Sequence, residues 1–474
     1  PLPILFKYKN IAAIAQQLSG KKLLNIPKTN LTNVPLSFAQ ERLLFIERFE
    51  QGTSAYHMPY LTQLKEGTNK EALEAALKMV IDRHPVLKTV YRTTETGEDY
   101  QSVLEEKVTI LNHSYADDAE LLSEIEKEIR RPFNLQYEPS VRLHHYSVQN
   151  KQYLLILWHH IAFDGWSTNI FIHELGEIYR SLVKAEEIRL PQLEISYADY
   201  AAWQRNYLQG ETLNDLTNYW KQQLAGYEML RLQTDFTRPA QIDYTGKDFV
   251  FELDVELSSK LRDLARSQET TLYTVLLSAF YVTLSNLSGQ TDILIGTPSD
   301  NRSHSQTQGL IGFFVNSLSL RAEVRPSETI RDFIRNCHQV VTQAKINEEL
   351  PFEKLVAMLG VEQDVSRHPL FQIIFSLLDG GTGEEKETDL PFVPANFGAE
   401  ASDYSTARYD ISFLLTDTSE QIAGLFNYAA SLFEEETIAR MSVIYKRILE
   451  AFVSDLNVSV GDIVVLDEEE KQLQ

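Results

Sequence analysis

The order strand, loop, amphipathic helix occurs twice in this 474-residue chain, and this repeat constrains the fold more than any other feature. In the first copy, the apolar run Tyr153–Trp158 predicts a buried strand and about Ser167–Leu182 a one-sided helix. In the second copy, a strand is predicted at Ile422–Tyr428 and a helix at about Glu434–Ala451. We therefore predict an α/β protein of two related lobes, with the seam between them near residues 210–240.

A further helix is predicted to begin after Asn69, whose side chain can cap the first turn. Its apolar positions repeat with the helical period, and they are Ala72, Leu73, Ala76, Leu77, Val80 and Ile81. The helix is expected to end before Pro85, and a strand is predicted at Val86–Tyr91.

Composition excludes several classes of protein. The 44 Lys and Arg against 67 Asp and Glu give a net charge of −23, whereas a nucleic-acid binder needs a basic face. No apolar run approaches the roughly 18 residues of a membrane-spanning helix. The single cysteine, Cys337, excludes an intrachain disulfide and a multi-cysteine metal site. With 43% hydrophobic residues, the chain is predicted to be a cytoplasmic globular protein that binds neither nucleic acid nor membrane.

The strongest local signal is the sequence HHIAFDG at 159–165, which directly follows the first predicted strand. Adjacent side chains of an extended chain point to opposite sides, so we expect one of His159 and His160 to face a core and the other an opening. Asp164 either orients that imidazole or pairs with an arginine, and Gly165 supplies a positive φ or clearance for a neighbour. An imidazole with a pKa near 6.5 suits acyl transfer at neutral pH.

Other interpretations of these residues stay open from the residues alone. Two hydrogen-bonded core histidines at a strand end are the commonest reason for such a pair. A metal site of two histidines and Asp164 is disfavoured because adjacent side chains diverge. Arg302, in GTPSDNR, reads by itself as a surface residue, and Asn316, in GFFVN, as a hydrogen-bonded core amide. The chain has neither of the common Gly-rich phosphate-binding and dinucleotide-binding motifs.

Seven segments resemble, in the same order, the sequence elements of the condensation domains of non-ribosomal peptide synthetases. These segments are SFAQERL at 37–43, RHPVLKT at 83–89, HHIAFDG at 159–165, YADYAAW at 197–203, IGFFVNS at 311–317 with LR at 320–321, LPFE at 350–353 and SRHPLF at 366–371. The second departs from the family's RHExLRT at Pro85 and Lys88. Each match alone is weak, whereas seven in order are very specific.

The resemblance implies a fold of two chloramphenicol-acetyltransferase-like α/β sandwich lobes arranged as a V, with an active-site tunnel between them. It also implies a domain order, which is the last helix of a peptidyl carrier protein at 1–18, a linker at 19–34, an N-terminal lobe at 35–215, a C-terminal lobe at 216–460 and a linker towards an adenylation domain at 461–474. The counterpart of the histidine loop in the second lobe, Asn427–Ser431, has no histidine, so one active site is expected.

The resemblance further implies the reaction and the site. The α-amine of an acceptor aminoacyl carrier attacks the thioester of a donor carrier, and the second histidine, His160, contacts the amine as a base or as an orienting group. Asp164 pairs with Arg302 to hold the loop, His159 is packed, and Gly165 leaves room for the donor arm. The residues expected along the tunnel are Trp166, Ser167 and Asn316.

The chain itself is expected to bind no cofactor and no metal, because the substrates arrive on the 4′-phosphopantetheine of carrier proteins. The expected partners are an upstream donor carrier, a downstream acceptor carrier and an adjacent adenylation domain, and the domain is expected to be a monomer that serves antibiotic or siderophore biosynthesis. The FVN element, which epimerisation domains lack, favours a condensation domain, and the opening element SFAQERL with the DGWS context favours the subtype that takes an L-configured donor. A carrier- or CoA-dependent acyltransferase is the alternative enzyme, and a docking platform with an inactive site is the non-enzymatic alternative.

Overall fold

The computed structural model describes residues 25–49, 53–361, 364–380, 390–395, 405–418 and 420–465, and they divide into two compact units. The first unit comprises the chain up to Asn214 together with the segments 300–315 and 385–402, and the rest forms the second. The expected carrier helix at 1–18 and most of the expected C-terminal linker lie outside the described residues.

The first unit is a mixed α/β structure. Its elements are β1 (Val34–Pro35), α1 (Phe38–Phe49), β2 (His57–Leu64), α2 (Lys70–Arg83), β3 (Thr89–Thr93), β4 (Asp99–Val103), β5 (Ile110–Tyr115), α3 (Asp118–Arg130), β6 (Val141–Val148), β7 (Lys151–His159), α4 (Gly165–Lys184) and α5 (Tyr197–Tyr207). Helix α6 (Gly210–Gln223) spans the change from the first unit to the second.

The second unit is also mixed α/β. Its elements are β8 (Gly246–Glu252), α7 (Val255–Ser267), α8 (Leu272–Ser288), β9 (Asp292–Ser299), β10 (Asn316–Glu323), α9 (Ile330–Ile346), α10 (Phe352–Leu359), β11 (Ile373–Asp379), β13 (Ile411–Asp417), β14 (Ile422–Ala429) and α11 (Glu435–Ser454), while the short β12 (Phe392–Pro394) belongs to the first unit. No helix among the described residues is both long and apolar enough to cross a membrane.

The main sheet of the first unit has the strand order β12-β2-β7-β6-β5, with β1-β4-β3 as a smaller sheet. Strand β7 lies between β2 and β6 and is buried from Tyr153 to His159, which explains its continuous apolar run. The sheet of the second unit has the order β10-β9-β11-β13-β14-β8. The mixed α/β fold predicted from the sequence is therefore confirmed.

Both copies of the predicted repeat are present, as β7 followed by α4 and as β14 followed by α11. Asn69 caps α2, its side chain accepting a hydrogen bond from the amide of Ala72 at 3.0 Å, as the sequence predicts. The strand predicted at Val86–Tyr91 is wrong in its first half, where Pro85–Lys88 form a 3-10 turn and the strand begins only at Thr89. Pro85 has φ fixed near that of a helical turn, which outweighs the strand preference of the residues after it.

The chain leaves the sheet of the second unit after β9 and returns to it with β10, and the segment between them, 300–315, packs in the first unit. Ser299 and Asn316, the ends of the two strands, face each other in the antiparallel register. The lobes predicted from the sequence, 35–215 and 216–460, did not include this return of the chain to the first unit. The return matters because the segment carries Arg302 and residues 311–314 to the histidine loop.

Candidate functional site

The histidine loop joins β7 to α4 through a single 3-10 turn at His160–Ala162. His159, in extended conformation, is fully buried, whereas His160 is half-buried. This contrast is the one that the alternation of side chains predicts for adjacent histidines at a strand end.

The backbone of His160 is held on both sides. Its N–H donates a hydrogen bond to the carbonyl of Tyr56 at 2.9 Å, and its carbonyl accepts one from the amide of Phe163 at 3.2 Å. Its imidazole packs edge-on against the ring of Phe313, with 4.9 Å between ring centroids. The ring therefore projects from a turn with a fixed backbone, and one of its sides packs against an apolar residue.

Asp164 is the N-cap of α4 and lies at the centre of the loop's hydrogen bonds. Its Oδ1 accepts hydrogen bonds from the amide of Ser167 at 2.8 Å and from the Ser167 hydroxyl at 2.7 Å. Its Oδ2 accepts one from the amide of Phe314 at 3.1 Å. A carboxylate at this position also suits the positive end of the helix dipole.

The expected ion pair between Asp164 and Arg302 is present, with 3.1 Å between Oδ1 and a guanidinium nitrogen, and both side chains are almost completely buried. Arg302 also donates to the carbonyls of Thr307 and Leu310, each at 2.7 Å, and its guanidinium lies over the ring of Phe314. Burial lowers the pKa of the Arg302 guanidinium, although the charge of Asp164 opposes that shift. Arg302 is therefore not the surface residue that its sequence context suggested.

Ser167 connects the start of α4 to the segment 300–315. Its hydroxyl oxygen, whose proton is directed to Asp164, accepts a hydrogen bond from the amide of Gly312 at 3.1 Å and lies 3.1 Å from the carbonyl of the same residue. The hydroxyl of Tyr197 donates to the carbonyl of the next residue, Phe313, at 2.6 Å. The conformation of the segment beside His160 is thus set by side chains of α4 and α5.

Gly312 permits the close approach of this segment to Tyr197. A Cβ at Gly312 would lie 2.0 Å from Cδ2 of the Tyr197 ring. We expect Gly312→Ala to lower the free energy of unfolding by about 1–3 kcal/mol, the usual cost of overpacking. Urea denaturation followed by tryptophan fluorescence measures this change.

Gly165→Ala is the matched control for Gly312→Ala. A Cβ at Gly165 would meet nothing within 4 Å, and its φ is not in the left-handed region. We therefore expect a change within about 0.5 kcal/mol, as for an ordinary surface substitution. Equal losses in the two variants would contradict the close contact at Gly312. The positive φ considered for Gly165 from the sequence is wrong, because the residue begins a regular helix; the clearance remains.

Two motifs matched in the sequence without an assigned role also support the loop. Gln40, from SFAQERL, is fully buried and donates through Nε2 to the carbonyl of Ile161 at 3.3 Å. His84, from RHPVLKT, accepts a hydrogen bond at Nδ1 from the amide of Ile311, and its Nε2 lies 2.8 Å from Glu174. Both contacts join residues that are far apart in sequence, so local patterns do not predict them. The one signal for them in the sequence is a polar residue within an apolar pattern.

The remaining candidate residues are placed as follows. Trp166 is 46% exposed and donates through Nε1 to the carbonyl of Gln308 at 3.3 Å. The Ser167 hydroxyl bonds Asp164 and the amide of Gly312, and its expected place along a tunnel stays a prediction. Asn316 lies in the second unit, where its amide donates to the carbonyls of Glu348 and Leu350 and its Oδ1 accepts from the amide of Phe352. These bonds are those of a hydrogen-bonded core amide, and the expected position of Asn316 along a tunnel stays a prediction.

Comparison with known proteins gives a consistent result. Residues 30–474 match the family described as condensation domain. The chain is 34% identical over 98% of its length to N-(5-amino-5-carboxypentanoyl)-L-cysteinyl-D-valine synthase of Amycolatopsis lactamdurans, and 32% identical over its whole length to gramicidin S synthase 2 of Aneurinibacillus migulanus. It spans only 13% and 10% of these two relatives.

The fold is likewise similar to a solved structure, the X-domain in complex with OxyB from teicoplanin biosynthesis. The TM-score is 0.84 at 23% identity, over 94% of this chain and 99% of that one. The histidine loop, its buried ion pair and the match over nearly the whole chain lead to one assignment. The chain belongs to the condensation-domain family.

Proposed function

We propose that this chain forms the peptide bond in non-ribosomal peptide synthesis, between a donor and an acceptor that are both bound to carrier proteins. The observation that carries the proposal is the half-buried His160 on a turn whose backbone is held on both sides. The names of the curated relatives, which include synthases of gramicidin S and surfactin, support the same reaction.

In the proposed reaction, the α-amine nitrogen of the acceptor attacks the thioester carbonyl of the donor. The new C–N bond forms as the C–S bond breaks, and the proton leaving the nitrogen accompanies the released carrier thiol. An α-amine has a pKa of about 8, so an appreciable fraction is already neutral at neutral pH. Orienting the amine and the thioester supplies roughly 7–11 kcal/mol, against about 3–5 kcal/mol for general base catalysis.

His160 is the catalytic residue of the proposal, and it contacts the acceptor amine. Asp164 and Arg302 hold the loop and do not touch substrate, whereas Trp166, Ser167 and Asn316 lie along the substrate tunnel. Gly165 faces open space, which leaves clearance for the phosphopantetheine arm of the donor. His159 is a buried support for the turn.

The finer assignments belong to the same proposal. The donor residue is L-configured, as the SFAQERL and DGWS elements favour. The partners are donor and acceptor carrier proteins and an adenylation domain, and all of them work in the cytoplasm. The chain binds no cofactor of its own, because 4′-phosphopantetheine arrives on the carriers. The segments 1–18 and 461–474 are a carrier helix and a linker towards the adenylation domain.

A docking function is the second candidate, because a protein of similar fold is described in a complex with another protein. A transfer experiment separates the two. We expect an acceptor carrier loaded with an amino acid to gain the mass of the donor acyl group when donor carrier and this chain are added, as measured by intact-protein mass spectrometry.

Two controls make this experiment decisive. An acceptor carrier whose amino acid is N-acetylated should gain no mass, because its nitrogen cannot attack the thioester. Donor offered as a free CoA thioester should react poorly; equal rates from CoA and carrier would favour the carrier- or CoA-dependent acyltransferase. Carrier binding without transfer, with the native loaded carriers, would favour the docking function.

A further inference from the structure

A buried carboxylate lies beside His159, the first histidine of the loop. Glu47, on α1, is 6% exposed, and its Oε1 lies 3.2 Å from Nε2 of His159, which is fully buried. Its Oε2 accepts a hydrogen bond from the amide of Thr53. Burying a charge costs free energy unless it is compensated, so a carboxylate at this position calls for an explanation.

His159 connects this carboxylate to the turn that carries His160. The Nδ1 atom of His159 accepts a hydrogen bond from the amide of Ile161 at 3.1 Å, inside that turn. An accepting Nδ1 carries a lone pair and no proton, so in neutral His159 the proton resides on Nε2, which faces Glu47. An ionised carboxylate beside Nε2 stabilises this tautomer and thereby the bond to Ile161.

We propose that Glu47 is a positioning residue, which acts through His159 to keep the 3-10 turn of His160 in the shape that presents its imidazole. The proposal rests on the function assigned to His160 above. It adds a residue that lies outside the seven matched motifs. It also predicts that ionisation of the Glu47 carboxyl changes the turn that carries His160.

The surroundings of Glu47 fix the direction of its pH dependence. The titratable groups near its carboxyl are His159 at the end of β7 and His57 at the start of β2, and the charge of Arg142, on β6, reaches His57. Burial raises the pKa of Glu47 to about 7, against the opposing effects of the Thr53 amide and His57. Burial lowers the pKa of His57 to about 4, so His57 stays neutral between pH 6 and 8.

The raised pKa also means that ionised Glu47 lowers the free energy of unfolding. The folded chain holds this proton more tightly than the unfolded chain does, so the free energy of unfolding falls as pH rises from the ordinary pKa of 4.5 to about 7. A neutral glutamine escapes this cost. We therefore expect Glu47→Gln to melt no lower than wild type at pH 8, where any loss of rate cannot be attributed to unfolding.

Glu47→Gln resembles the protonated carboxyl, which gives the experiment its form. The ratio of the wild-type to the variant transfer rate is measured from pH 6 to 8.5 with loaded carriers. Ionisation of the acceptor amine and of His160 affects both enzymes and cancels in the ratio. We expect a ratio near one at pH 6 that rises to about tenfold at pH 8, the rate effect of weakening one hydrogen bond in the turn, with a midpoint near 7.

Glu41→Gln is the matched control, because it makes the same chemical change on the same helix at an exposed carboxylate that pairs with Arg205. Its ratio should stay near one at every pH. A ratio for Glu47→Gln that is constant across the range, whatever its size, would overturn the proposal and reduce Glu47 to a packing residue. Transfer by wild type in the same assay would leave the proposed function standing.

A second measurement does not depend on activity. The backbone amide resonance of Ile161 in ¹⁵N-labelled protein, assigned with the Ile161→Val variant, is followed over the same pH range. We expect it to titrate with a midpoint near 7 in wild type and not in Glu47→Gln. The absence of this step in wild type would overturn the proposal even if the variant did not fold or if no transfer were detected.

Discussion

Replacing His160 with alanine is expected to slow acyl transfer between loaded carriers by about 10²- to 10⁴-fold. The change removes the imidazole that contacts the acceptor amine in the proposed reaction. The backbone bonds that hold this turn, from the amide of His160 to Tyr56 and from Phe163 to the carbonyl of His160, do not involve the side chain. Because the ring is only half-buried, we expect the variant to fold and to bind carriers as wild type does.

A second substitution separates the two roles left open for His160. Glutamine can hydrogen-bond the amine but cannot take its proton near neutral pH. If His160→Gln restores the rate to within about tenfold of wild type, orientation of the amine accounts for most of the effect. If it is as slow as His160→Ala, proton transfer does.

The measurement is a single-turnover reaction with both carriers loaded and the enzyme in excess, quenched and read by intact-protein mass spectrometry. Single turnover removes carrier release from the observed rate. A melting curve of each variant shows whether it is folded. Wild-type rates in folded His160→Ala would exclude both roles, and with them the assignment of His160 as the catalytic residue.

The regular elements of this fold follow from local patterns. The apolar run before His159 predicts β7, and the cap at Asn69 predicts the start of α2, because both depend on residues close together in sequence. The strand predicted at Val86–Tyr91 shows the limit of such patterns, since one proline at the first position of a turn changes its first half.

The contacts of the site could be predicted only in part. Asp164 and Arg302 are 138 residues apart, and no periodicity indicates that the segment 300–315 returns to the first unit. The resemblance to a family supplied that pair, whereas the residues alone left Arg302 at the surface. Neither route indicated Glu47, because an acidic residue in a helix is usually solvated and the burial of this one depends on residues far away in sequence, among them His159 at the end of β7.

Most polar side chains of the site consequently form hydrogen bonds to backbone groups, and fewer face a substrate. Gln40 donates a hydrogen bond to the carbonyl of Ile161, and His159 accepts one from the amide of the same residue. Asp164 accepts a hydrogen bond from the amide of Phe314. Each of these groups is buried, and an unpaired buried polar group costs about 1–3 kcal/mol. Loss of one side chain therefore leaves its buried partner without a hydrogen bond. The network that makes the loop rigid thus also makes its stability sensitive to single substitutions.

Asp164→Ala is expected to show this vulnerability most clearly, with a loss of about 3–5 kcal/mol in the free energy of unfolding of the first unit and loss of transfer activity. The variant leaves the guanidinium of Arg302 buried without its carboxylate, and it also removes the N-cap of α4 and the acceptor for Phe314. Urea denaturation followed by tryptophan fluorescence, to which Trp158, Trp166 and Trp203 of the first unit contribute, measures the loss.

Two further variants identify the unpaired charge as the cause. Adding Arg302→Met to Asp164→Ala removes that charge, and we expect the double variant to regain at least about 1 kcal/mol, although Arg302 also bonds two carbonyls. Glu126→Ala breaks an exposed pair with Arg130 on α3 and should cost less than about 1 kcal/mol. A double variant no more stable than Asp164→Ala would show that the cap and the Phe314 bond, and not the ion pair, hold the loop. Wild-type stability in Asp164→Ala would contradict the central position of this carboxylate altogether.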